Sequence, residues 1–132
     1  MLTIEKSLTS IRILLVEDTE DTLRIFTFFL ENLGAIVSTA RSAAEALAII
    51  TCEPLDVLVS DIGLPDVNGY ELMRQVRALP AEQGGQLPAI ALSGYGSRKD
   101  VQAAREAGFQ LHLTKPVDFE TLATAVTRLS QV

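Results

Sequence analysis

The chain has 132 residues, 48% of them hydrophobic and 21% charged, with a formal net charge of −6 and a pI near 4.7. That length suits one domain with a core of its own. The acidic balance argues against nonspecific binding to nucleic acid or to an anionic membrane, both of which want clustered Lys and Arg. No apolar stretch reaches the roughly 20 residues needed to span a bilayer, so membrane insertion is not expected. Residues 1–10, MLTIEKSLTS, lack the long apolar region of a secretory leader. They read as an N-terminal extension to a domain over residues 11–132, and the expected location is cytoplasmic. Cys52 is the only cysteine, which excludes an internal disulfide and a cysteine-rich zinc site. At the end of a helical pattern it reads as a packing residue.

Five short apolar runs alternate with five helical patterns, the signature of a parallel sheet covered on both faces. The first run, Ile11 to Val16, precedes a helix carrying Leu23, Ile25, Phe26, Phe28, Phe29, Leu30 and Leu33. Its three phenylalanines read as core, and Gly34 ends it as a left-handed cap. The second run, Ala35 to Thr39, leads to a helix opened by a capping box of Ser42 and Glu45 and closed by Pro54. The third, Leu55 to Ser60, delivers Asp61 to a loop. A third helix after Asn68-Gly69 buries Leu72, Val76 and Leu79, and the following LPAEQGGQLP reads as a mobile surface loop. The fourth run, Pro88 to Ser93, precedes a short alanine-rich helix capped by Ser97 with Asp100 and closed by Gly108. The fifth, Phe109 to Thr114, precedes a helix capped by Asp118 that buries Leu122, Val126 and Leu129.

Ligands of open parallel α/β sheets bind beyond the carboxyl ends of the strands. The chemically useful residues sit at those ends: Glu17 and Asp18 after the first strand, Asp61 after the third, Ser93 closing the fourth, Lys115 after the fifth. Two unit charges about 4 Å apart repel by roughly 4 kcal/mol at an effective dielectric of about 20, so three gathered carboxylates call for a cation. A hard divalent ion with oxygen ligands, most simply Mg2+, answers that need. An aspartate neutralised in this way is a nucleophile toward phosphorus if a further cation, for which Lys115 is the candidate, meets the oxygens of the transferred group.

In chain order, EDTED at Glu17 to Asp21, SDIGLPDVNGYEL at Ser60 to Leu72, SGYG at Ser93 to Gly96 and LTKP at Leu113 to Pro116 resemble the receiver domain of two-component response regulators. The resemblance runs from Ile11 to the final helix. It implies a doubly wound, flavodoxin-like (βα)5 fold with strand order 2-1-3-4-5. It implies that Asp61 accepts a phosphoryl group from the phosphohistidine of a kinase or histidine phosphotransfer protein. Glu17, Asp18, Asp61 and the backbone carbonyl of Gly63 would hold Mg2+, and Ser93 and Lys115 would meet phosphoryl oxygens. Pro116 would follow a cis bond that turns Lys115 inward. Leu64-Pro65, Asp66 and Gly69 match the loop after the phosphoacceptor. The family usually carries Tyr or Phe three residues before the lysine. Here that position is His112, and Tyr95 is the aromatic left to share a switching role with Ser93 and His112.

The resemblance also implies an output through a downstream protein, on a surface near Tyr95, Ala103, Ala104, His112 and Val117. A weak homodimer through the fourth and fifth helices is a further family property. No effector is expected after the last helix, which leaves a stand-alone regulator or a receiver from a hybrid histidine kinase, with the phrases GLPDVNGYELMRQVR and ALSGYG leaning to the latter. The expectation is a phosphoacceptor signalling domain and not an enzyme. An aspartyl phosphatase would place a second acid two residues after the nucleophile, where Gly63 stands, and an FMN carrier would need a phosphate loop where Glu17-Asp18 repels phosphate. The remaining alternative is a pseudo-receiver that binds partners without phosphorylation.

Overall fold

The computed structural model describes residues 7–94 and 96–130. Along the chain run β1 (Arg12–Val16), α1 (Glu20–Asn32), β2 (Ile36–Ala40), α2 (Ala43–Cys52), β3 (Val57–Asp61), α3 (Gly69–Arg77), β4 (Ala89–Ser93), α4 (Arg98–Ala107), β5 (Leu111–Thr114) and α5 (Phe119–Ser130). The strands pair in parallel in the order β2-β1-β3-β4-β5, the doubly wound arrangement expected. β3 and β4 are buried along their whole lengths.

Strand alternation divides the core in two. Leu14, Val16, Leu58, Ala89 and Ala91 meet α2, α3 and α4 on one face. Ile13, Leu15, Val57, Val59, Ile90 and Leu92 meet α1 and α5 on the other. Each fully buried Val, Leu or Ile contributes about 1.5–3 kcal/mol, so both layers are needed to hold the sheet. Leu8, upstream of β1, is fully buried in the second layer, and its backbone N–H donates to the Leu33 carbonyl at 3.0 Å.

Several local expectations are corrected. Leu23 and Leu30 of α1 are buried, but Ile25 is 54% and Phe28 71% exposed. One helix face cannot hold so many apolar positions within three turns. Phe29 instead stacks on Phe119 with ring centres 4.4 Å apart. Cys52 is exposed at the end of α2 and is no packing residue. The Ser42 hydroxyl caps α2 through the Glu45 N–H, but the Glu45 carboxylate turns to the Arg41 N–H, so the box is not reciprocal. The stretch expected to be a mobile loop contains a 3-10 turn at Ala81–Gln83. The Gln83 and Gly85 N–H groups both donate to the Pro80 carbonyl there. A Cβ on Gly85 would run into the Leu79 carbonyl oxygen, which accounts for glycine at that point. Asp61 ends β3 instead of lying in the loop.

Arg77 fastens the third and fourth helices to the sheet. Its half-buried guanidinium donates to the carbonyls of Gly108 at 2.7 Å and Gly85 at 3.0 Å, and to the Gln110 side-chain oxygen at 3.3 Å. Burial holds its pKa below the usual arginine range. Arg77→Ala strands those acceptors and is expected to cost about 2–3 kcal/mol, read from urea denaturation midpoints.

Candidate functional site

Register alone gathers the site. Val16 pairs with Ser60, so Glu17 and Asp61 are the next residues on adjacent strands. Both follow the alternation of Ile13, Leu15, Val57 and Val59 and therefore lie on the α1 and α5 side. Lys115 follows Leu111 and Leu113 with the same parity, and its N–H donates to the Ser93 carbonyl at 2.7 Å, which binds it to the end of β4. The strand order reverses between β1 and β3, the crevice where such sheets hold ligands.

The side chains complete what the backbone sets out. Carboxylate oxygens of Glu17, Asp18 and Asp61 lie within 4.8 Å of one another. Lys115 Nζ sits 3.0 Å from Asp61 Oδ2 and 3.4 Å from Glu17 Oε1. Glu17 Oε2 accepts the Thr19 N–H at 3.0 Å, and Asp61 Oδ1 accepts the Gly63 N–H at 3.3 Å. Glu17 and Asp61 are buried and Asp18 is half-buried. Burial chiefly raises the Glu17 pKa, the Thr19 hydrogen bond opposes it, and the Asp61 charge adds to the rise. Burial would depress the Lys115 pKa, but its hydrogen bond and attraction to Asp61, followed by Glu17, leave it raised. One ammonium facing three carboxylates leaves a net negative pocket of hard oxygen donors, suited to a divalent cation.

The β3–α3 loop is tied at both ends. The Asn68 side chain accepts the Glu71 N–H at 3.0 Å and caps α3. A Cβ on Gly69 would lie 2.6 Å from the Asp61 carbonyl oxygen, so α3 starts against the backbone of the site. Asp66 reaches across to α2, accepting the Ala43 N–H at 3.0 Å and the Ala44 N–H at 2.9 Å. No spacing rule predicts this long-range cap. Those hydrogen bonds lower the Asp66 pKa from 3.8 to about 2. A depressed carboxyl pKa stabilises above the unfolded value and loses that contribution as pH falls through the folded one. Asp66→Asn is therefore expected to flatten the decline in stability between about pH 4 and pH 2, seen as denaturation midpoints converging with the parent's at the acid end.

Ser93 ends β4 and is buried. His112 pairs with Ala91 and Thr114 with Ser93, so His112 shares a sheet face with Ser93, towards α4. His112 Nε2 is buried without a hydrogen-bond partner among the described residues. Tyr95 lies outside the described residues. The Lys115–Pro116 bond is cis. Ala104 is buried against the sheet and cannot meet a partner directly, unlike the part-exposed Ala103, His112 and Val117. No described helix is long and apolar enough to cross a membrane.

The family model described as the response regulator receiver domain matches residues 13–127. A 14.6 kDa protein of Leptolyngbya boryana is 46% identical over 86% of this chain and 85% of its own length. A probable histidine kinase 2 of Oryza sativa is 33% identical over 92% of this chain, which spans 13% of that protein. Among solved structures, the chemotaxis response regulator CheY4 of Vibrio cholerae superposes with a TM-score of 0.85 at 29% identity, over 92% of this chain and 99% of that one. The receiver domain of the sensor histidine kinase PA1611 of Pseudomonas aeruginosa, determined with a magnesium ion in its active-site cleft, gives 0.85 at 27% identity over 94% and 100%.

Proposed function

The chain belongs to the response regulator receiver domain family of two-component systems, and on that premise we propose that Asp61 is the phosphoacceptor. The observation that carries this reading is the placement of Asp61 Oδ2 at 3.0 Å from Lys115 Nζ, beside Glu17 and Asp18 at the carboxyl end of the sheet. In the proposed step an Asp61 carboxylate oxygen attacks the phosphorus of a phosphohistidine. The P–O bond forms as the P–N bond breaks, and the donor imidazole leaves with the bonding pair. Charge spreads over the three equatorial oxygens, so catalysis consists of positioning and electrostatics. Lys115 meets one of these oxygens and the Ser93 hydroxyl another.

Glu17, Asp18, Asp61 and the Gly63 carbonyl would hold Mg2+, as the oxygen donor set and its net negative charge suit. Bound there, the ion supplies positive charge to the group in transit. Glu17 is fixed for this role by the Thr19 N–H, which holds one oxygen and leaves the other beside Lys115. Without a second acid at Gly63, the acyl phosphate persists as a signal. The donor is a histidine kinase or a histidine phosphotransfer protein. The output is a change in affinity for a downstream protein through the Ser93 loop and His112, with Tyr95 assigned to the same switch. His112 fits because its ring shares the Ser93 face and its Nε2 is without a partner among the described residues.

Intact mass after incubation with Mg2+ and acetyl phosphate tests the reading. One added phosphoryl group is expected, absent when EDTA replaces Mg2+. No adduct, with acetyl phosphate or with a phosphohistidine donor, would leave a domain that binds partners without phosphorylation.

A further inference from the structure

The two loops that carry the cation ligands Asp18 and Gly63 are fastened to one point, the start of α2. Asp66 stands three residues after Gly63 in the β3–α3 loop, and its carboxylate accepts the Ala43 N–H at 3.0 Å and the Ala44 N–H at 2.9 Å. The base of that loop is closed by the Gly69 N–H, which donates to the Ile62 carbonyl at 2.7 Å, so the Asp66 tie restrains its outer end. From the other side, the Arg41 guanidinium donates to the Asp18 carbonyl at 3.0 Å. Arg41 is bound in turn to the first turn of α2, because its backbone N–H donates to the Glu45 carboxylate at 2.9 Å. Ala43 and Ala46 are buried, so the anchor is itself held by the core. Lys115 pairs with Glu17 and Asp61, whereas Asp18 forms no ion pair among the described residues and is restrained through its backbone.

We propose that Arg41 and Asp66 are positioning residues that set the affinity of the acidic pocket for Mg2+ and its preference for Mg2+ over Ca2+. The proposal rests on the reading of Glu17, Asp18, Asp61 and the Gly63 carbonyl as the cation site. Neither Arg41 nor Asp66 is a ligand in that reading. Each acts on the backbone of a loop that carries one. Mg2+ demands near-ideal octahedral geometry at roughly 2.0–2.1 Å, while Ca2+ accepts a flexible shell at about 2.3–2.6 Å. Loosening two of the ligands therefore costs Mg2+ more than Ca2+. The sign of the effect at Arg41 separates positioning from electrostatics. A cation beside an acidic pocket repels a divalent ion, so by charge alone its removal tightens binding. Loss of its tie to Asp18 weakens binding. At Asp66 both effects weaken binding, so Arg41 is the decisive position.

Calorimetric titration of the 132-residue chain with MgCl2, and separately with CaCl2, tests the proposal without any phosphodonor. Arg41 and Asp66 are both exposed, so Arg41→Ala and Asp66→Ala should keep the fold by circular dichroism. Each is expected to raise the Kd for Mg2+ about tenfold, the lower end of what outer-shell partners contribute, and the Kd for Ca2+ by less. In adduct formation from acetyl phosphate, the Mg2+ concentration that gives half the maximal rate should rise with the Kd, with a smaller change in the rate at saturating Mg2+. Ser42→Ala controls for general loosening of α2. It removes the hydroxyl that accepts the Glu45 N–H at 3.2 Å and leaves both ties in place, so the melting temperature should fall with both Kd values unchanged. Unchanged or tighter Mg2+ binding by Arg41→Ala overturns the proposal. So does an equal loss of Ca2+ affinity, or a Mg2+ affinity that Ser42→Ala lowers as much. A parent that takes up neither Mg2+ nor a phosphoryl group overturns the site reading and this inference with it. A parent that takes up both, beside indifferent variants, overturns this inference alone.

Discussion

Asp61→Asn is expected to abolish the phosphoryl adduct from acetyl phosphate and from a phosphohistidine donor alike, while the domain stays folded. The amide keeps the shape of the carboxylate and an oxygen to accept the Gly63 N–H, which lies 3.3 Å from Asp61 Oδ1. It lacks the anionic oxygen that attacks phosphorus. Two electrostatic changes oppose each other in stability. Lys115 loses its 3.0 Å ion pair and keeps only the 3.4 Å contact to Glu17. Glu17 loses a like charge that helped to raise its pKa. The melting temperature without divalent ions should therefore move little, whereas Mg2+ should stabilise the variant less than the parent, since one of three carboxylates is gone. Intact mass and thermal melts with and without Mg2+ check both parts. A full adduct on Asp61→Asn would remove Asp61 from the role and direct attention to Asp18, which shares the cluster.

Much of this arrangement was legible because it depends on short-range rules. A two-residue alternation and five apolar runs determine which strand faces meet helices, and a carboxyl-edge rule then names Glu17, Asp18, Asp61, Ser93 and Lys115 as neighbours. The helix caps at Ser97 and Asp118 were equally readable, because a side chain and the N–H it accepts lie three residues apart. Runs of apolar residues also say where a strand passes, within a residue or two of its ends.

What escaped depends on contacts between elements. Arg77 donates to Gly108 and Gln110, more than 30 residues away, and no local pattern marks an arginine as a buried staple. The Asp66 cap on α2 joins residues 22 and 23 positions apart. By hydropathy Phe28 belongs in the core, because hydropathy counts apolar residues without knowing the width of the face that will be covered. Its exposure depends on where α5 packs, and Phe119 occupies only the Phe26 and Phe29 side of α1. Leu8 shows the converse, since a residue assigned to an extension fills the core beside α1.

Lys115→Met tests whether the cation is part of the chemistry or merely a counter-charge to the acids. Methionine preserves much of the packing of the lysine stem but places no charge near Asp61 and Glu17. Removing one positioned donor to a charge that develops in the transition state costs about 10²–10³-fold in rate, so adduct formation at saturating Mg2+ should slow by that order. Stability should respond with a definite sign. In the parent, the Lys115 pKa is raised above 10.5, so its contribution is whole below that value and is lost as pH rises through the folded one. The variant lacks this alkaline loss. Glu17, raised above 4.5 mainly by burial, loses its contribution as pH climbs through its folded value. Lys115 is one of the groups restraining that rise, so Glu17 in the variant shifts further up. The variant should accordingly lose more stability than the parent between mildly acidic and neutral pH, and Mg2+ should restore part of the difference. A slow reaction with parent-like stability at neutral pH would confine Lys115 to the transition state. A parent-like rate with lowered stability would make it a structural counter-charge and take it out of the proposed step.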